Sequence, residues 1–138
     1  MAKIKRKISL RDVPVDVEHT EDQGFVNLKI RWIVTDKVGA KDGCLNHVEF
    51  LSSSSHEFHT HPNVEEIFFV LSGHGLAVSG DETFEIDPGD TVFVPKGEKH
   101  YFRNLLEKEP LVALSAYFGA PNIDEAGYVR LGTKGDSK

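Results

Sequence analysis

The sequence holds one cysteine, Cys44, in 138 residues, so it has no internal disulfide framework and no cysteine-rich zinc site. That scarcity fits a reducing compartment, and the cytoplasm is the expected location. Long apolar runs are missing as well. No stretch approaches the roughly 20 residues of a membrane-spanning helix, so no membrane association is expected. The basic start, with Lys3, Lys5, Arg6 and Lys7, meets Asp12 and Asp16 too soon to contain the apolar segment of a signal peptide. Positive charge is otherwise scarce: 16 Lys and Arg against 22 Asp and Glu leave a net charge of −6. Phosphate binding needs clustered Lys and Arg, so nucleic acid is not the expected partner. No internal repeat and no long amphipathic helical pattern occurs.

What remains is a chain of ordinary globular composition, 39% hydrophobic and 28% charged, which excludes a wholly disordered protein. Its length suits one domain over residues 1–138. Glycines and prolines (Gly24, Gly39, Gly43, Gly73, Gly75, Gly80, Pro88-Gly89, Pro95, Gly97) separate short apolar runs. The spacing predicts strands over residues 25–35, 45–51, 66–71, 75–79, 83–86, 91–94, 100–104 and 111–118, an all-β sandwich or closed barrel. The core is expected at about residues 25–119. Ile4, Ile8 and Leu10 alternate, which predicts a half-exposed strand within an N-terminal arm spanning 1–24. Residues 120–138 read as a Gly-rich polar tail, loosely held after about 131.

Seven histidines are the oddity, and four of them (His47, His56, His59, His61) fall close together. On a strand, residues i and i+2 point to one face, so His59 and His61 look the same way. Pro62 and Asn63 follow, then a carboxylate pair, Glu65 and Glu66, and the apolar run Ile67–Leu71. If the later block containing His100 pairs beside this one, three imidazoles and one carboxylate meet at one point. That set suits one divalent transition ion: iron, manganese, nickel, copper or zinc. Phe68 and Phe102 share strand faces with Glu66 and His100 and are expected to line the pocket.

These residues resemble the motifs of the cupin family. The first, G-x5-H-x-H-x(3,4)-E-x6-G, is matched from His59 to Gly73, with Ser53 in place of the leading glycine. The second, G-x5-P-x-G-x2-H-x3-N, is matched by Gly89, Pro95, Gly97, His100 and Asn104. The resemblance implies a double-stranded β-helix, or jelly-roll barrel, with a metal held by His59, His61, Glu66 and His100. Either spacing of the carboxylate is allowed, so Glu65 competes with Glu66. The strand face shared with Phe68 and Val70 favours Glu66. Asn104 is expected to bond backbone groups or groups behind the metal ligands, not metal, and His74 to lie in an exposed turn. His47 and Glu49 either line a pocket or face water.

The resemblance permits several functions. The leading expectation is a metal-dependent, dioxygenase-type enzyme on a small organic substrate. Lyase, decarboxylase or isomerase chemistry is the alternative, and a non-enzymatic small-molecule binding barrel is the other. No residue identifies itself as a general acid or base, with Tyr117 and His56 the candidates. A homodimer is expected, the strand at 4–10 adding to a partner's sheet edge.

Overall fold

The structure, a computed structural model, describes residues 3–17, 19, 27–52 and 57–133. Ten strands are present: β1 (Leu28–Val34), β2 (Gly43–Phe50), β3 (Glu57–Thr60), β4 (Glu65–Ser72), β5 (Gly75–Ser79), β6 (Glu82–Ile86), β7 (Thr91–Val94), β8 (His100–Asn104), β9 (Leu111–Phe118) and β10 (Val129–Thr133). A one-turn helix, α1 (Ile123–Ala126), precedes β10. The strands form two five-stranded antiparallel sheets, ordered β1-β2-β9-β4-β7 and β10-β3-β8-β5-β6. From β2 onward the chain passes repeatedly from one sheet to the other, and only β5 and β6 follow each other within a sheet. This is the jelly roll expected from the sequence. Among the described residues, no helix is long and apolar enough to cross a membrane.

Alternation decides which side chains face inward. On β2, Cys44, Asn46, Val48 and Phe50 are buried, and on β9 Leu111, Ala113, Ser115 and Tyr117. β4 turns Glu66, Phe68 and Val70 inward and leaves Glu65 exposed. Burial of the apolar members, worth roughly 1.5–3 kcal/mol each, holds the two sheets face to face. The core joins Phe50, Phe68, Val70 and Leu111 of one sheet to Ala77, Ile86 and Phe102 of the other. At the end of the barrel a second cluster seats Ile123 and Ala126 of α1 against Cys44, Val64 and Tyr117.

Two expectations fail. Residues 3–9 form no strand; the segment makes a backbone bond from Lys5 to the Val38 carbonyl and turns at Leu10–Asp12. Alternating apolar residues make a strand only with a partner edge, and the described chain offers none there. Nor is the segment after residue 119 a bare tail. It forms α1, capped by the Asn122 side chain accepting from the Glu125 amide, and then β10 on the edge of β3. Arg130 fixes that edge through two 2.7 Å bonds to Glu57.

Candidate metal centre

Three turns of chain bring the histidines together. His59 lies on β3 in register with His100 on β8. His61 lies just past the end of β3, where its carbonyl accepts from Gly97 at 3.1 Å. Gly97 has φ of +75°, a conformation that L side chains rarely adopt, so this glycine lets the turn before His100 reach the turn after His61. The ring centroids stand 4.2 Å apart for His59 and His100, 4.9 Å for His59 and His61, and 5.2 Å for His61 and His100. One ring nitrogen from each lies within 4.8 Å of the others, a spacing able to hold a metal ion.

The outer bonds decide which nitrogen faces the centre. Nδ1 of His61 bonds the Gly127 carbonyl at 2.7 Å, Nδ1 of His100 the Glu98 carbonyl at 3.0 Å, and Nδ1 of His59 the Glu57 carbonyl at 3.4 Å. A carbonyl can only accept, so each Nδ1 carries the proton and each Nε2 keeps its lone pair. Glu66 stands beside the three histidines, outside that 4.8 Å group. Its Oε1 lies 3.1 Å from His100 Nε2 and 3.6 Å from His61 Nε2, while Ser115 donates to Oε2 at 2.7 Å. Glu66 is 4% exposed and His100 0%. Yet Glu66 Oε1 and His100 Nε2 make no hydrogen bond among the described residues. Two buried acceptors this close need either a shared proton or a cation bound by both, and a divalent cation meets that need.

The electrostatics favour the ligating forms. Burial pushes the His59 pKa well below its ordinary value of 6.5, and its two imidazole neighbours add to the effect. Burial lowers His61 as well, against the attraction of Glu66. For Glu66, burial alone would raise the pKa, but His100, His61 and the Ser115 hydroxyl hold it below 4.5. Burial thus favours the neutral forms of His59 and His61, while the neighbours of Glu66 favour its charged form.

These shifts carry a sign for stability. Between the folded pKa values of His59 and His61 and 6.5, the unfolded chain binds more protons, so stability falls as pH drops through that window. Glu66 acts in the same direction, its contribution being present above 4.5 and lost as pH falls through its folded value. His19, raised by Asp16 and Asp124 against the effect of its burial, opposes them. The melting temperature of metal-free protein is expected to fall below about pH 6.5. The slope should flatten in His59→Gln, and an unchanged slope in that variant would assign the acid sensitivity elsewhere.

A cavity of about 70 Å³ adjoins the cluster. Glu66, His59 and His61 line one end, and Leu28, Ile30, Val48, Phe50, Phe68 and Phe102 supply apolar wall. Phe68 and Phe102 stack at 3.8 Å with an 8° interplanar angle, and both line this cavity. Tyr117 packs on His61 at 4.9 Å, and Tyr128 stacks flat on His59 at 4.5 Å. Burial, and then the Glu66 charge, push the Tyr117 phenol pKa well up, so it stays protonated.

The other sequence candidates lie outside this cluster. Asn104 bonds the carbonyls of Phe50 and Glu109 and accepts from the Leu106 amide, a purely structural use. Glu49 and His47 are on the outer face of β2, where Glu49 pairs with Arg31 at 3.0 Å. His74 is part-buried and held by Asp87 and Glu85, not the exposed turn residue expected. His56 and Ser53 lie outside the described residues. Sequence reasoning missed Ser115, Gly127 and Tyr128. Ser115 had a signal, its place two residues before Tyr117 on one strand face, but Gly127 and Tyr128 had none.

The family model for the cupin domain matches residues 46–117. The chain is 40% identical over 62 residues to acireductone dioxygenase of Bacillus thuringiensis subsp. konkukian, covering 41% of this chain and 36% of that protein. It is 34% identical over 87 residues to acireductone dioxygenase of Exiguobacterium sibiricum, covering 59% of this chain and 47% of that protein. The chain thus spans less than half the length of these curated relatives. Among solved structures, the polyketide cyclase RemF of Streptomyces resistomycificus superposes with a TM-score of 0.70, over 96% of this chain and 89% of that one. The two are 20% identical, a likeness of fold alone.

Proposed function

The chain belongs to the cupin family, and from that premise we propose a metal-dependent enzyme of the dioxygenase type, acting on a small organic substrate. One divalent transition ion would be held by His59, His61, Glu66 and His100. The observation that supports this best is the donor set itself: three imidazoles whose Nδ1 protons are committed to carbonyls, facing a carboxylate oxygen that nothing else serves. An ion bound there would supply Lewis acidity toward substrate oxygens and, if redox-active, reactivity with dioxygen. The likeness to acireductone dioxygenases supports the oxygen branch over other cupin chemistries.

The chain's own residues do the remainder. Phe68 and Phe102 exclude water from one side of the pocket, which strengthens every polar contact made within it. Tyr117 remains a phenol and so can donate a hydrogen bond to an anionic substrate oxygen, but cannot act as a base near neutral pH. Tyr128, flat against His59, holds that ring in place. Ser115 orients Glu66 so that Oε1, not Oε2, faces the histidines.

The test is oxygen uptake by iron-loaded protein with a panel of small enediols, hydroxy acids and diketones. Uptake above the free-iron control, abolished in His61→Ala, is the expected result. Conversion of a panel member without oxygen uptake would point to lyase or isomerase chemistry. Tight binding of a panel member without conversion would mean a binding barrel.

A further inference from the structure

The pocket contains one polar atom that the fold leaves unserved besides those of the histidine cluster. Asn46 lies on β2 with its side chain turned inward between Cys44 and Val48. It is 2% exposed, and among the described residues its Oδ1 has no hydrogen-bond partner. Across the ladder its register partner is Ser115, whose hydroxyl is already committed to Glu66. Asn46 lines the same cavity as His59, His61 and Glu66, and its neighbours on that wall are Ile30, Val48 and Phe50.

A buried acceptor without a donor lowers the stability of the fold. Position 46 does not need it, because an inward site on a central strand accepts an apolar β-former at least as well. The other buried asparagine shows what structural use looks like: Asn104 has both ends of its amide engaged with backbone. Asn46 instead lines the cavity beside the candidate metal centre with its buried acceptor unserved among the described residues. Residues that break the local rule in this way mark functional positions.

Resting on the four-ligand reading of the site, we propose that Asn46 recognises the substrate, its Oδ1 accepting a hydrogen bond from a hydroxyl or N–H group. The substrate class follows from the cavity. One end carries an anionic or enolic oxygen for the ion, and a second position carries a donor for Asn46. The short carbon segment between them lies against Val48, Phe50 and Phe68. By the water-sized measure of the 70 Å³ cavity, such a molecule has roughly five or six heavy atoms.

The experiment uses zinc-loaded protein, which is redox-silent, and calorimetric titration with matched acids: 3-hydroxypropanoate against propanoate, and 4-hydroxybutanoate against butanoate. Wild type is expected to bind at least one hydroxy acid about tenfold more tightly than its deoxy partner, the usual worth of a buried hydrogen bond. Asn46→Leu and Asn46→Ala should both bring that ratio to about one, with zinc content and deoxy-acid affinity unchanged. Ratios near one for both wild-type pairs, or a preference that survives in both variants, would overturn the assignment. Zinc content, measured before any acid is added, tests the four-ligand reading separately. If wild type holds no zinc, that reading fails and metal-free melting decides the role of Asn46. Asn46→Leu melting about 3 °C above wild type would then keep the idle acceptor, and melting at or below wild type would reject it.

Discussion

Alanine at His100 is expected to take the protein from near one bound transition ion per chain to near none. His100 is fully buried, its Nδ1 is fixed by the Glu98 carbonyl, and its Nε2 stands 3.1 Å from Glu66 Oε1. Removing it takes away a donor and leaves the Glu66 carboxylate facing a void in place of a partner. Disturbing residues behind the ligands of a metal site typically costs 10–100-fold in affinity, and deleting a ligand should exceed that range. His61→Ala should match it. Glu65→Ala should keep its metal, because Glu65 is exposed on the opposite face of β4, whereas Glu66→Gln should lose most of it. Elemental analysis of dialysed, untagged protein against protein concentration reads all four. Equal retention in Glu65→Ala and Glu66→Gln would remove Glu66 from the ligand set, and full retention in His100→Ala would remove the site.

That contrast between adjacent glutamates was legible in the sequence because it depends only on alternation. Once Glu66 begins an apolar strand, Phe68 and Val70 share its face and Glu65 does not. The same parity joins His100 to Phe102 and Asn104, and all six residues lie where it puts them. On β2 parity held but left the choice of face open. Leu45 and Leu51 gave one face an apolar look and drew attention to His47 and Glu49, yet the inward residues are Cys44, Asn46, Val48 and Phe50. The physical reason is that the outer face of this sheet is apolar too. Phe69, Phe93 and Phe118 are exposed there, with Phe93 opposite Ile67 and Phe69 opposite Leu114. Hydrophobicity then marks both faces and cannot tell inside from outside.

The C-terminal contribution was illegible for another reason. Gly127 reaches His61 from 66 positions away, and Tyr128 reaches His59 only because β10 docks on β3. No local period encodes a carbonyl acceptor or a flat ring contact. The segment is short, polar and interrupted by glycine, so it reads as a tail. Its function depends on the partner strand, whose edge the edge-binding pair Arg130 and Glu57 secures.

Because both faces of the first sheet are apolar, the identity of the true core has to be tested by energy, and Phe68→Ala is the variant to use. Phe68 is 1% exposed, stacks on Phe102 of the opposite sheet at 3.8 Å and meets Phe50 edge-on at 5.9 Å. Truncation removes the ring and leaves a cavity between two sheets whose hydrogen-bond ladders hold them in place, so collapse is limited. The expected loss is about 3–5 kcal/mol, a fifth or more of the roughly 5–15 kcal/mol that a domain usually commands. Melting should drop by roughly 10–20 °C. Phe69→Ala, one residue along but on the outer face, should lose less than about 1 kcal/mol in the monomer, since that ring is already partly in water. Denaturant unfolding of both variants at low protein concentration measures the difference. Metal binding should survive in Phe68→Ala, because none of the four donors depends on that ring for a hydrogen bond. Equal destabilisation by the two variants would mean that the outer face is as buried as the inner one in solution. A second copy of the chain would then have to cover it, and the loss in Phe69→Ala would grow with protein concentration.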